Sequence, residues 1–121
     1  ALPEITPEQA GRNLGSIAHS HDFTLYAHYA TDIAGHRGGM KGSVRSLERV
    51  DRFLGGVLQT FPRDGHLIVS SDHGNIEDVR TGHTRNPALG LFVGGAAEVA
   101  RNLRPESITD VPRVLGLPVE R

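Results

Sequence analysis

Apolar residues recur along this chain with two periods. Ala10, Leu14, Ile17 and Ala18 fall at helical spacing, and "TPEQ" stands in front of them. Thr6 is placed to cap, Pro7 suits the first helical position and Gln9 completes a capping box, predicting a helix to about Ser20. Val44, Leu47, Val50, Leu54, Val57 and Leu58 recur every three or four residues, predicting a long helix capped by Ser43 that packs on a sheet. Gly55 and Gly56 fall in its last turns, at a cost of roughly 1 kcal/mol each relative to Ala.

Other stretches read as strands. "DFTLYAHYA" predicts a strand over residues 22–30, ending at Thr31-Asp32. "HLIVSS" is a short apolar run after the turn "PRDG", as expected of a strand buried on both faces. "ALGLFV", closed by Gly94-Gly95, predicts a third strand, and "ESITDVPRVLGL" a short terminal helix. Residues 33–42 hold four Gly and read as a loop that turns the chain. Helices alternating with apolar strands define the α/β class, with a mostly parallel sheet flanked by helices.

Composition narrows the picture. The 121 residues suit one compact domain. With two Tyr, four Phe and no Trp, the core must be aliphatic. Thirteen basic residues against fourteen acidic ones give no sign of a nucleic-acid or membrane surface. No apolar run approaches the ~20 residues of a membrane span, and "ALPEITPEQ" lacks the features of a signal peptide, so a soluble cytoplasmic domain is expected. There is no Cys, which excludes disulfides and thiolate metal sites. The seven His supply the commonest metal ligand instead.

"SSDHGNIEDVRTGHTRNP", residues 70–87, concentrates six potential ligands: Asp72, His73, Asn75, Glu77, Asp78 and His83. Open α/β sheets bind ligands beyond the carboxyl ends of their strands, where Asp32 and Asp72 are expected. Adjacent strand side chains point to opposite faces, so Asp72 and His73 serve one ion only if the chain turns there, and Gly74 permits a turn. A Ser71-Asp72-His73 relay is disfavoured, because triad members converge from separate segments. Asp and His together suit Zn²⁺, Mn²⁺ or Fe²⁺ rather than Ca²⁺ or Mg²⁺. There is no HExxH signature.

The order D-x-x-x-H in "DIAGH", then D-H-G-N-x-E, then H-T-x-N-P resembles the alkaline phosphatase metalloenzyme superfamily. Within it, the pattern is most similar to cofactor-independent phosphoglycerate mutases and phosphopentomutases. The closing "ITDVPRVLGL" is similar to that family's terminal segment, although Arg113 stands where Thr or Ser is usual. The resemblance implies an alkaline-phosphatase-like fold with two divalent ions, Mn or Zn, in the full enzyme. It makes Asp32, His36 and His83 ligands of one ion, which this chain alone could retain, and Asp72 and His73 ligands of the second. A metal-activated Ser or Thr would attack a phosphorylated small molecule and hold its phosphate.

That nucleophile, a further Asp ligand and a substrate-covering cap belong to the family's upstream part, and no segment before Asp32 matches them. The chain is therefore expected to be the carboxyl-terminal portion of a longer enzyme, with no catalytic residue of its own and little activity alone. Asn75 and Glu77 would orient ligands from behind, or simply shape the turn. Arg37, Lys41 and Arg85 would meet substrate anions, or face solvent; His28 reads as packed, and His19, His21 and His66 as surface residues. A sheet lacking its amino-terminal half would expose an edge through which chains self-associate. The competing functions are a phosphodiesterase or sulfatase-like hydrolase of the same superfamily, and a non-catalytic metal-binding or assembly module.

Overall fold

The computed structural model describes residues 3–118. Backbone contacts divide the chain into two compact units, one within Ala1–Pro62 and Asn75–Thr84, the other within Arg63–Gly74 and Arg85–Arg121.

The first unit is helical: α1 spans Pro7–Ala18, α2 Ala30–Arg37 and α3 Gly39–Thr60. Thr6 caps α1 as expected, its hydroxyl oxygen accepting from Gln9 N at 3.2 Å. The Gln9 side chain does not return the bond; it donates to Asn13 Oδ1 and accepts from Arg12 instead. Small residues let α1 and α3 approach backbone to backbone. A Cβ on Gly11 would sit 2.0 Å from the Phe53 carbonyl oxygen, and one on Gly56 would sit 2.1 Å from that of Glu8. The two glycines that weaken α3 as a helix therefore differ in role, since Gly56 is a packing position and Gly55 meets nothing within 4 Å. Thr60 Oγ1 donates to Arg12 O at 2.9 Å, and Arg52 grips the Glu8 carboxylate with two nitrogens.

Further expectations fail in this unit. Residues 22–29 form no strand; a strand needs a ladder partner for its N–H and C=O groups, and the described residues provide none. Leu25 is 81% exposed there, while Tyr26 stacks on Phe53 with ring centroids 4.9 Å apart. Residues 33–42 are not a loop but the body of α2 and the first turn of α3, broken at Gly38 and at Gly39, whose φ is +55°. Ser43 is consequently not a cap. It lies buried inside α3 and its hydroxyl donates to Ala34 O at 3.3 Å, tying α3 to α2. Along the apolar stripe of α3, Val57 is buried, but Val44, Leu47 and Leu58 stay exposed.

In the second unit β1, His66–Ser70, pairs with β2, Gly90–Gly94, placing Leu67 opposite Val93 and Ile68 opposite Phe92. The pairing is antiparallel, which corrects the mostly parallel sheet expected; the described sheet has these two strands. A parallel return needs a crossover, usually a helix, and residues 71–89 contain none. Nor is β1 buried on both faces, since its central residues are half-buried and its ends exposed. Gly94-Gly95 does more than close β2. Gly94, at φ +68°, leads directly into α4, Gly95–Leu103, a helix beyond those expected from the apolar pattern. Ala96 and Ala100 of α4 form a small core with Val114 of α5, Val111–Val114, and Ile68, Phe92 and Val99 pack around it. Ser107 and Asp110 make a capping box before α5.

Candidate metal centre

Asp32 and His36 stand four residues apart on α2, which puts both side chains on one helix face. Their Oδ1 and Nε2 atoms are 3.5 Å apart. His83 arrives from the 75–84 segment, its Nε2 3.3 Å from the same oxygen, with its ring centroid 4.7 Å from that of His36. Gly82, at φ +74°, adopts the left-handed turn before it. A Cβ there would stand 3.3 Å from the His36 ring.

The Asp32 carboxylate is anchored from behind. Asn75, 5% exposed, donates its side-chain amide to Asp32 Oδ1 at 2.5 Å and to Asp32 O at 3.1 Å. The other face of that amide lies on Gly35, where a Cβ would stand 2.2 Å from Asn75 Oδ1. This is why the residue before His36 has no side chain. Burial alone would raise the Asp32 pKa, but the Asn75 hydrogen bond and the adjacent His36 and His83 outweigh it and hold the carboxyl below its usual value. The group is thus kept as a carboxylate, the form that ligates a cation.

The donors fit a divalent ion of the Zn²⁺ or Mn²⁺ kind. Ligand atoms about 2.1 Å from a tetrahedral ion stand ~3.4 Å from one another, and the separations of 3.5 and 3.3 Å from Asp32 Oδ1 bracket that value. Two imidazoles and one carboxylate are a mixed nitrogen and oxygen set suited to such ions.

The sequence candidates have the following surroundings. Asp32 and His36 lie on a helix, not at a strand end and in a loop as expected. Asp72 and His73 belong to the second unit, just past β1, which ends at Ser70 so that the chain does turn there. Ser71 Oγ donates to His73 O at 2.7 Å, and His73 Nε2 lies 3.6 Å from Asp72 Oδ1. Asp78 is engaged by Arg80, whose guanidinium brings its pKa down to about 2. Glu77 faces the backbone of Asn75 and the hydroxyl of Thr84. Arg37 is exposed and lines a shallow groove of about 400 Å³ between α2 and α3 with Arg45 and Arg49; Arg85 is exposed in the second unit. Thr84 was not among the sequence candidates. Its partner lies seven residues away across an irregular turn, and no local pattern signals such a pair.

Comparison with known proteins defines the class. The family model of the metalloenzyme superfamily matches residues 8–111, and the chain belongs to that superfamily. Among individual relatives, it is 32% identical to the 2,3-bisphosphoglycerate-independent phosphoglycerate mutase of Desulforudis audaxviator over 94% of the chain and 25% of the relative. The enzyme of that name from Ruegeria pomeroyi is 34% identical over 95% of the chain and 25% of its own length, and that from Wolinella succinogenes 29% over 98% and 26%. The chain thus spans about a quarter of the length of the curated relatives it matches. No solved structure matches it. Among the described residues, no helix is long and apolar enough to cross a membrane.

Proposed function

We propose that this chain is the metal-binding part of a phosphomutase-type metalloenzyme that acts on phosphate esters with two divalent ions. The observation that carries the reading is the meeting of Asp32, His36 and His83, drawn from α2 and from a segment some fifty residues later, around one carboxylate oxygen. Superfamily membership and likeness to phosphoglycerate mutases support it.

In this reading Asp32, His36 and His83 hold one ion, and Asp72 and His73 contribute to the second. When bound, the ions supply positive charge that offsets the phosphate oxygens and activate the attacking hydroxyl. The chain's own residues do the holding. Asn75 fixes the Asp32 carboxylate, and the two histidines present ring nitrogens to it. Phosphate capture and transfer require a hydroxyl nucleophile from outside these residues, so the chain alone turns over phosphate esters poorly. Its substrate is a phosphorylated small molecule, as the mutase relatives suggest.

The test is calorimetric titration with Mn²⁺ and Zn²⁺ of the chain and of its His83→Ala variant. Binding of about one ion, strongly weakened in the variant, is expected. Equal binding by both proteins would overturn the assignment.

A further inference from the structure

We infer that Glu77 is a positioning residue that sets the spacing of Asp32 and His83 through Asn75 and Thr84. The inference rests on the metal-centre reading above and adds to it a residue that touches neither ligand atom in any contact described.

Asp32 and His83 lie 51 positions apart. The segment carrying His83 has no helix or strand of its own and only a single bridge residue, Thr84, so side-chain contacts have to contribute to its distance from α2. Glu77 has the contacts to do this. Its Oε2 accepts the backbone N–H of Asn75 at 2.6 Å, and its Oε1 accepts the Thr84 hydroxyl in a short hydrogen bond. Asn75 holds Asp32 by both its carbonyl and its carboxylate. Thr84 is covalently next to His83, which returns to Asp32 at 3.3 Å. The path Asp32–Asn75–Glu77–Thr84–His83 therefore closes into a ring.

The chemistry of each member fits its place. The Asn75 N–H can only donate, whereas the Thr84 hydroxyl donates or accepts; an ionised carboxylate satisfies both with two acceptor oxygens. Glutamine keeps one acceptor for Asn75 and offers Thr84 an N–H in place of the second, so Glu77→Gln retains the bridge in part. Glu77→Ala loses both ends. Thr84→Val removes the hydroxyl at nearly constant shape, and Thr84→Ser keeps it.

The test has two arms. In Mn²⁺ titrations, Glu77→Ala and Thr84→Val each bind about 10- to 100-fold more weakly, as loss of a partner that orients a ligand does. Glu77→Gln falls between parent and Glu77→Ala, Thr84→Ser stays near the parent, and the Ala/Val double variant is no weaker than Glu77→Ala alone. In the metal-free chain, NMR follows hydrogen exchange of the Asn75 amide and the ring ¹⁵N resonances of His83. Both change in Glu77→Ala and Thr84→Val and stay near parental in Thr84→Ser, while the amides of α3 keep their protection.

Parental Mn²⁺ affinity in Glu77→Ala, or unchanged His83 resonances in both Glu77→Ala and Thr84→Val, overturns the inference. If the parent binds no Mn²⁺, the metal-centre reading fails. The metal-free resonances then still decide whether Glu77 sets the spacing.

Discussion

Asp32 and Asp72 are the same residue type, each with a His close by in sequence, yet their surroundings differ. The Asp32 side chain is 41% exposed, receives a hydrogen bond from a buried amide that also bonds the Asp32 backbone carbonyl, and stands within 3.5 Å of two imidazoles. The Asp72 side chain is 75% exposed, and its neighbour His73 is 3.6 Å away. Fixing a carboxylate before the cation arrives removes the entropy cost of ordering it at binding. Asp32 is prepared in this way by its own unit. The comparison teaches that a shared motif does not make two sites equally formed, because the partners behind each ligand decide that.

The largest expected difference comes from removing each carboxylate in turn. Asp32→Ala should weaken Mn²⁺ binding in calorimetry by more than the ~10- to 100-fold that loss of an orienting partner costs. Asp72→Ala should leave the tighter binding step nearly unchanged. Equal losses would end the distinction between the two sites.

Scaffold and site separate next. Gly11→Ala pushes a methyl against the backbone of α3 and should destabilise the chain by about 1–3 kcal/mol in urea unfolding. The Mn²⁺ affinity of the folded fraction should stay parental, since Gly11 packs α1 on α3 and not against the ligands. Gly35→Ala should act the other way. Its methyl displaces the Asn75 amide from Asp32 and should weaken Mn²⁺ binding about tenfold, with a smaller loss of stability. Unchanged binding in this variant would show that Asn75 does not hold the carboxylate in place.

The smallest effect belongs to a surface pair remote in role from the ligands. The hydrogen bonds from Arg52 bring the Glu8 pKa down from 4.5 to about 2. A carboxyl depressed by folding contributes stability above its unfolded pKa and loses it as pH falls toward the folded one. The melting temperature of the parent should exceed that of Glu8→Gln at pH 7, and the gap should close between about pH 4.5 and 2. A gap that persists at pH 2 would assign it to packing. The pair is solvent-exposed, so the effect should be slight and shrink with salt.

Short-range chemistry was legible along the chain. Thr6 and Pro7 marked the start of α1, because a cap bonds an N–H three residues away and needs no distant partner. The core of β1 was legible as an apolar run between turn signals. The order of Asp32, His36, Asp72, His73 and His83 supplied the family and its metal chemistry, and the superfamily match agrees. What depended on a distant partner was not legible. "DFTLYAHYA" has strand chemistry but no ladder to join among the described residues, and "DIAGH" became a helix whose i and i+4 positions aim two ligands the same way. Strand direction, the Asn75 amide seated on Gly35 and the Glu77–Thr84 bond each join residues whose pairing no local period encodes. The sequence by itself determined which atoms are available to ligate and where single helices begin. Only the tertiary structure decided which of those atoms meet, because hydrogen bonds and close packing between distant segments depend on how the whole chain returns on itself.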